Sequence, residues 1–479
     1  MHGDNPLEIP ELIWRISRYV TMKDAVACAQ VCKAWTDHFV SAIWHTISFE
    51  QEELNRVDPK ALAKYGHHIR EVWDICSQED ILILLASNPT KLRRLSVDMD
   101  AIQQFYAESY AMSYVSFTDL LRRVNASLER IEIFRFSKYS SPHFAVDCLF
   151  PAASVGATSR LSSIQFQGMT MTRDSLSLLL QNCPLLRDLN IRDTKLLTWP
   201  IYDKSAARYY QSTGVARLVA SIEQVFNMNQ EFEDVSSLFV HFPNLKSWQT
   251  WISASSDPDN VSTNYIRTEV ARCCPLLKEL FLETNTPMTV RMLTRAFDGL
   301  TSVRILKAHF SAEMVMAILN YRETLRAVAT SSEYYETYDF CEETIPRTTG
   351  NHDAPELIAQ FIPRLCTRLE RLELPFFEMD MSDIEMTQWG CHDLEELYIV
   401  IRGLDTEEKV NRAIQLWKEG RIAIKKKQAN GVVESALGPQ MNNIILPGDN
   451  SIEARVARHL LKFKKLRVVW LGWTVWRIA

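Results

Sequence analysis

The sequence predicts an α/β chain: a short helical module at the N-terminus, then an irregular array of helix–strand units with a parallel sheet inside and helices outside. Three observations carry this reading. A short apolar phrase, two polar residues between its first and second apolar positions and one before its third, recurs along most of the 479 residues. Helical segments closed by a Cys-Pro or Phe-Pro turn introduce several copies. The first 50 residues lack the phrase and instead place apolar residues at helical spacing.

In that N-terminal stretch, Ile9-Pro10-Glu11 leads into Leu12, Ile13, Ile16 and Val20. Proline suits the first turn of a helix, where its missing N–H costs nothing, and an acidic residue there favours the positive end of the helix dipole. Thr21-Met22-Lys23-Asp24 interrupts the pattern, with Thr21 or Asp24 as N-cap of the next helix. That second helix is expected to carry Ala25, Cys28, Ala29, Val31, Cys32 and Trp35. Trp44 closes the module, and His45–Phe49 reads as a strand. So short a module cannot bury a self-sufficient core. Its apolar residues are too many for one face, so the surplus either forms a partner site or packs on the adjoining domain.

Leu7, Ile9-Pro10-Glu11, Ile16, Asp24, Val31-Cys32-Lys33-Ala34-Trp35 and Trp44 together closely resemble an F-box. The one visible departure is Ile9, where that family more often has Leu, a volume-conserving exchange. The resemblance covers residues 1–50, about a tenth of the chain. It implies three helices that dock on the Skp adaptor of a cullin-RING ubiquitin ligase. Leu7, Ile9, Pro10, Glu11, Leu12, Ile16, Val20, Val31, Cys32, Trp35 and Trp44 are then the adaptor-binding residues. The rest of the chain, 51–479, would recognise a protein target.

The clearest copies of the phrase begin at Leu186, Leu277, Leu369 and Leu394. Further copies begin at Leu92, Leu128, Leu161 and Leu466, and weaker ones at Ile69, Leu245, Val303 and Leu325. Leu178–Pro184 and Val270–Pro275 read as helices stopped by a Pro turn, and Leu238–Pro243 as the same device. Period-two alternation buries one side of each strand and leaves the other open. The recurrence resembles a leucine-rich repeat, with irregular spacing and without the Asn position common in such repeats. The fold expectation is therefore an F-box followed by an irregular leucine-rich-repeat solenoid. The alternative is an ordinary α/β domain whose strands happen to share the phrase. Insertions are expected near 199–232, 333–355 and 405–450, as functional excursions or as disordered segments. The first of these is expected to hold a helix containing Val215, Leu218, Val219, Ile222, Val225 and Phe226.

If the strands line an open face, the positions between buried residues point outward. Phe134, Arg192, Phe281, Tyr398 and Trp470 are the candidate target contacts, because exposed aromatics and Arg dominate interface hot spots. The alternative is that some of them pack against insertions or caps.

Composition narrows the function. Hydrophobic content of 47% and charged content of 23% are those of a globular chain. A net charge of −6 gives no reason to expect a nucleic-acid partner. The N-terminus shows no basic-then-apolar leader, and no apolar run approaches a membrane span. The expected location is therefore cytoplasmic and/or nuclear. The ten cysteines are expected to be reduced there. They form no C-x-x-C pair, so no metal site is expected. No phosphate-cradling, nucleophile-elbow or zincin motif occurs. The expected chain is thus no enzyme and needs no cofactor. The sequence reading is a substrate-recognition adaptor of an SCF-type ubiquitin ligase. The alternative is a non-proteolytic scaffold or regulator built from the same parts.

Overall fold

The computed structural model describes residues 9–17, 19–49, 59–98, 110–134, 159–197, 210–226, 237–251, 263–283, 286–306, 311–331, 358–429, 449–472 and 474–477. The chain divides into two compact units, Met1–Leu245 and Lys246–Ala479.

The first unit opens with three helices, α1 (Pro10–Ser17), α2 (Met22–Ala29) and α3 (Lys33–Ile43). Thr21 caps α2, its Oγ1 accepting from the Asp24 N–H. The expected long second helix is broken. Gln30 and Val31 form a turn, and Cys32 is extended (φ −160°, ψ 162°) as the residue before α3. The break is held by Thr36, whose hydroxyl donates to the carbonyls of Ala29 and Cys32. Val31 and Cys32 thus sit on the connection, not on a helix. Ile13, Ala25 and Phe39, one from each helix, form the buried centre of this bundle.

The bundle runs directly into a sheet. Strands β1 (Thr46–Ser48), β2 (Glu71–Ile75), β3 (Arg94–Asp98), β4 (Arg130–Phe134) and β5 (Ser163–Phe166) pair in sequence order, all parallel. A two-stranded side sheet joins β6 (Thr170–Thr172) to β8 (Lys195–Leu197). The main sheet continues through β7 (Asp188–Asn190) to β9 (Arg217–Val219). Between strands the chain returns through helices, including α4 (Pro59–Tyr65), α5 (Gln78–Ser87), α6 (Tyr110–Val124) and α7 (Arg173–Asn182), with α8 (Ile222–Phe226) after β9. The register aligns Ile47, Val72, Leu95, Ile131, Ile164, Leu189 and Leu218 in one row, every member buried.

The second unit repeats the plan. Strands β10 (Ser247–Thr250), β11 (Glu279–Leu282), β12 (Ser302–Leu306), β13 (Ala327–Ser331), β14 (Arg371–Met379), β15 (Glu396–Ile401) and β16 (Val468–Leu471) are parallel neighbours. The last strand, β17 (Thr474–Arg477), turns back antiparallel on β16. Gly472 (φ +68°) provides the left-handed backbone that a tight reversal needs. The interstrand helices are α9 (Thr263–Cys273), α10 (Pro287–Arg295), α11 (Ala312–Leu319), α12 (Phe361–Leu365), α13 (Met381–Thr387), α14 (Glu407–Ala429) and α15 (Ile452–Leu460). Pro375 falls where the β14–β15 register shifts, between Leu374 and Glu378, the place in a sheet where a missing N–H is tolerated.

One backbone device recurs at most strand entries of the two units. The carbonyl of Arg70 accepts from both Arg93 N–H (2.7 Å) and Arg94 N–H (3.0 Å); that of Arg93 accepts from Glu129 and Arg130; that of Glu370 accepts from Glu395 and Glu396. The same two-donor clamp is made by the carbonyls of His45, Glu129, Ser162, Arg187, Lys246, Lys278, Thr301, Arg326 and Glu395. A second device precedes it. The first Leu of the phrase donates its N–H to the residue three before it: Leu186 to Cys183, Leu277 to Cys274, Leu369 to Cys366, Leu394 to Cys391, Leu245 to Phe242 and Leu466 to Phe463. The side chain at that turn position is buried each time. Burial pushes the thiols of Cys183, Cys366 and Cys391 up to about 12. These cysteines act as small buried hydrophobes.

Several expectations are corrected. The segment read as a helix from Val215 contains β9, followed only by the short α8. Val215, Leu218 and Ala220 are all buried and make a further copy of the phrase. The copy placed at Val303 begins at Leu300, since Leu300, Val303 and Ile305 are the buried positions. Leu238–His241 is a single 3₁₀ turn rather than an α-helix. The expected insertion at 333–355 lies outside the described residues, as do 199–209, 227–232 and 430–448. Within 405–450, the described part is chiefly α14, which buries Val410, Ala413, Ile414 and Trp417 along one side.

His459 on α15 is 3% exposed and packs edge-on against Trp389 (ring centroids 4.8 Å apart) and Phe463 (5.2 Å). Neither of its ring nitrogens has a hydrogen-bond partner among the described residues. Burial, aided by Lys462, lowers its pKa from 6.5 to about 3. Above pH 6.5 neither folded nor unfolded chain holds this proton. As pH falls from 6.5 toward 3, only the unfolded chain takes it up, so stability drops by up to about 1.4 kcal/mol per pH unit from this group. Denaturant unfolding followed across that range should therefore show a shallower acid loss in His459→Leu than in the parent chain. Equal slopes would show that the imidazole is not held neutral.

Candidate functional site

Two surfaces carry the residues singled out by the sequence. The first is the helical bundle. On α1, Ile13 and Ser17 are buried while Leu12 and Ile16, with Ile9 just before the helix, are 38–41% exposed. Spacing of three, four and seven residues puts Ile9, Leu12 and Ile16 along one side of the helix. Met22 and Val26, four apart on α2, are exposed as well, and Val31 in the following turn is 63% exposed. Glu11 and Cys32 are also exposed. These are large apolar side chains left open on a small bundle, the kind of exposure that marks a partner site.

The remaining expected contacts are not part of that open surface. Val20 and Trp35 pack against the Ile13–Ala25–Phe39 centre, with the Trp35 and Phe39 rings 5.6 Å apart. Trp44 is half-buried and stacks on Tyr65 at 5.4 Å. It ties the bundle to the segment leading into β2. Leu7 lies outside the described residues, as does the Pro10 side chain. Met22 and Val26 are likewise open and were missed by sequence reasoning. Their spacing of four was the available signal.

The second surface is the sheet face turned away from the buried row, and the two units carry it separately. In the first unit, Phe134 is half-buried beside Asp98 in register, and Arg192 is half-buried with its Nε 3.9 Å from Asp193. Sequence reasoning missed Trp73, a variable position in a weak copy. The Arg94 guanidinium lies 4.6 Å from its ring and 3.6 Å from Glu71. Glu132, one position along, has its carboxyl pushed up by burial, against the opposing pull of Arg94 and Arg130.

In the second unit the register brings Gln249, Phe281, Arg304, Ala329, Glu373, Tyr398 and Trp470 into one row. Phe281 is 9% exposed, with the Arg304 guanidinium 5.8 Å from its ring. It is therefore covered rather than an open anchor. Tyr398 and Trp470 are half-buried and meet edge to face at 5.5 Å. Arg371 donates to Glu373, lies 3.3 Å from Glu396, and sits 5.9 Å from the Tyr398 ring.

Among the described residues, no group of three or more His, Cys, Asp or Glu is placed to hold a metal ion, and no helix is long and apolar enough to cross a membrane.

Comparison with known families finds an F-box-like domain at residues 10–50. No curated protein matches the chain. The matched stretch contains α1–α3 and β1, and with them nearly all of the open apolar surface of the bundle. The N-terminal part of this protein is thus an F-box-like domain, a type of domain that typically binds Skp adaptors.

Because Trp35 is structural and Leu12 is not, the two should separate in a stability measurement. Trp35→Ala should cost about 1–3 kcal/mol, less than a fully buried Trp, and unfold the bundle early in thermal melts read by circular dichroism. Leu12→Asp should leave the melt within about 0.5 kcal/mol of the parent chain.

Proposed function

We propose that the chain is a substrate-recognition adaptor of an SCF-type ubiquitin ligase. The F-box-like domain docks on the Skp adaptor, and through it on cullin and RING subunits. The observation that carries this reading is the coincidence of the F-box-like match with the open side of α1, where Ile9, Leu12 and Ile16 stand exposed above a buried Ile13. A helix that turns large apolar residues to water in a small bundle is suited to lie in an apolar groove of a partner.

The remainder of the chain is read as a degenerate leucine-rich-repeat array. Its support is the recurring turn, clamp and buried row described above. Such arrays present one sheet face over a long span, which suits recognition of a protein target. In this reading the chain performs no chemistry itself. It contributes proximity, holding a target where another subunit acts. The proposed location is the cytoplasm and/or nucleus.

The test is co-purification with the Skp adaptor of the full chain, of a chain lacking residues 1–50, and of the full chain carrying Leu12→Asp with Ile16→Asp. The full chain should be retained. The truncation should be lost, and the double variant should bind at least about ten-fold more weakly, the equivalent of about 1.4 kcal/mol, with an unchanged melt. Retention of all three at equal strength would overturn the adaptor assignment.

A further inference from the structure

In the second unit, the long helix α14 and the turn after α15 bring two basic stretches together. Gly420 is the last buried residue of α14; beyond it no described side chain is buried, and Ile422 is 54% exposed. Lys418, just before this point, and Lys425 and Lys426 beyond it are exposed. Residues 462–467, after α15, read Lys-Phe-Lys-Lys-Leu-Arg, and all four of their cationic residues are exposed. Arg421 joins the two stretches. Its Nη1 donates to the Leu466 carbonyl at 2.7 Å and its Nη2 to the Lys464 carbonyl at 3.3 Å. Lys418, three residues before Arg421, and Lys425, four after it, share its side of the helix.

The carboxylates nearby do not cancel this charge. Asp393 is 2.8 Å from Lys465, and Glu395 lies 3.9 Å from Arg467. Glu370 also acts on Lys465 but pairs with Arg326. Glu419 accepts from the Gln415 amide. Arg421 directs its donors to carbonyl oxygens, which leaves its positive charge in place. Four cations of α14 and four of the turn thus stand with Asp393, Glu395 and Glu419, in a chain whose net charge is −6. The C-terminal end of a helix carries only about half a negative charge, so α14 itself does not absorb the excess. Residues 430–448 contain one carboxylate, Glu434, so the sequence next to the patch holds no acidic stretch to match it.

We propose that the C-terminal half of α14 and the turn at 462–467 form a docking surface for an acidic, Asp/Glu-rich segment of a partner protein. Ile422 stands open among the lysines, whereas the aromatic residues of the two stretches, Trp417 and Phe463, are buried. An apolar contact ringed by ammonium groups suits a peptide. A single-stranded nucleic acid would call for exposed rings on which its bases stack. This surface goes beyond the adaptor reading and does not depend on it.

The experiment uses the full chain and short fluorescein-labelled peptides of alternating Glu-Gly, Ser-Gly and Arg-Gly, read by fluorescence anisotropy, with a single-stranded RNA of similar length as a further probe. The Glu-Gly peptide should bind tightest. Lys425→Glu with Lys426→Glu should weaken it by about ten-fold. Lys462→Glu, from the other stretch, should weaken it as well, and the melts should stay at the parent value. Lys246→Glu with Arg368→Glu makes the same change of net charge at exposed positions of the same unit and should leave binding unchanged. An equal loss in that control would show attraction by net charge alone and overturn the proposal, as would equal binding of the Ser-Gly peptide. Full binding by Lys462→Glu would overturn the joint surface. Tighter binding of the RNA, dependent on Lys425 and Lys426, would overturn the assignment of the partner as an acidic protein segment.

Discussion

Most of the sheet beyond the N-terminal bundle depends on a carbonyl that accepts two consecutive N–H groups from the next strand unit. Each such bond is worth only about 0.5–1.5 kcal/mol net. Their effect is geometric. With Arg70 holding Arg93 and Arg94, and Arg93 holding Glu129 and Arg130, each strand enters the sheet at one register. A slip of one residue would turn every buried side chain to water. The clamp thus keeps Val72, Leu95 and Ile131 on one buried row. It is made by backbone alone. Any residue with an N–H serves, and Arg, Glu, Ser, Lys and Thr all occupy the accepting position.

The turn before the clamp explains the cysteines in the same terms. A small or flat apolar side chain must fill the space beneath the turn whose carbonyl receives the first Leu. Cys183, Cys274, Cys366 and Cys391 do this, as do Phe242 and Phe463. Gly390 shows how tight that corner is: a Cβ there would lie 2.7 Å from the Arg364 carbonyl oxygen. In the bundle the division of labour differs. One residue per helix is spent on the centre, and the remaining large side chains of α1 and α2 stay open. The strands, by contrast, bury their apolar rows within each unit.

Much of this was legible in the sequence because the phrase has the strand period built into it. All the strong copies became strands, and so did the segments following the weaker copies at Ile69, Leu245 and Leu325. The misses have physical causes. Val215–Ala220 replaces both outer leucines by smaller residues, so only burial reveals it as a repeat; a helical spacing in the same residues concealed it. At Val303 the phrase was entered one apolar position late. In the bundle, periodicity alone ran α2 into α3, because the break at Val31-Cys32 is set by the Thr36 hydroxyl and not by a Gly or Pro. Apolarity likewise does not tell inward from outward. Trp35 and Leu12 look alike as family positions, yet one packs against the buried centre and the other is exposed. Phe281 was read from strand alternation as open, but an Arg on the neighbouring strand lies against it.

The central claim is that the open apolar side of the F-box-like bundle, and not the sheet, receives the adaptor. Hydroxyl-radical footprinting of the full chain with and without the Skp adaptor tests it directly. The account predicts that Leu12, Ile16 and Met22 lose reactivity in the complex while Met316 and Met386, both well exposed in the second unit, keep theirs. Protection of Met316 or Met386 with Leu12, Ile16 and Met22 still reactive would contradict it.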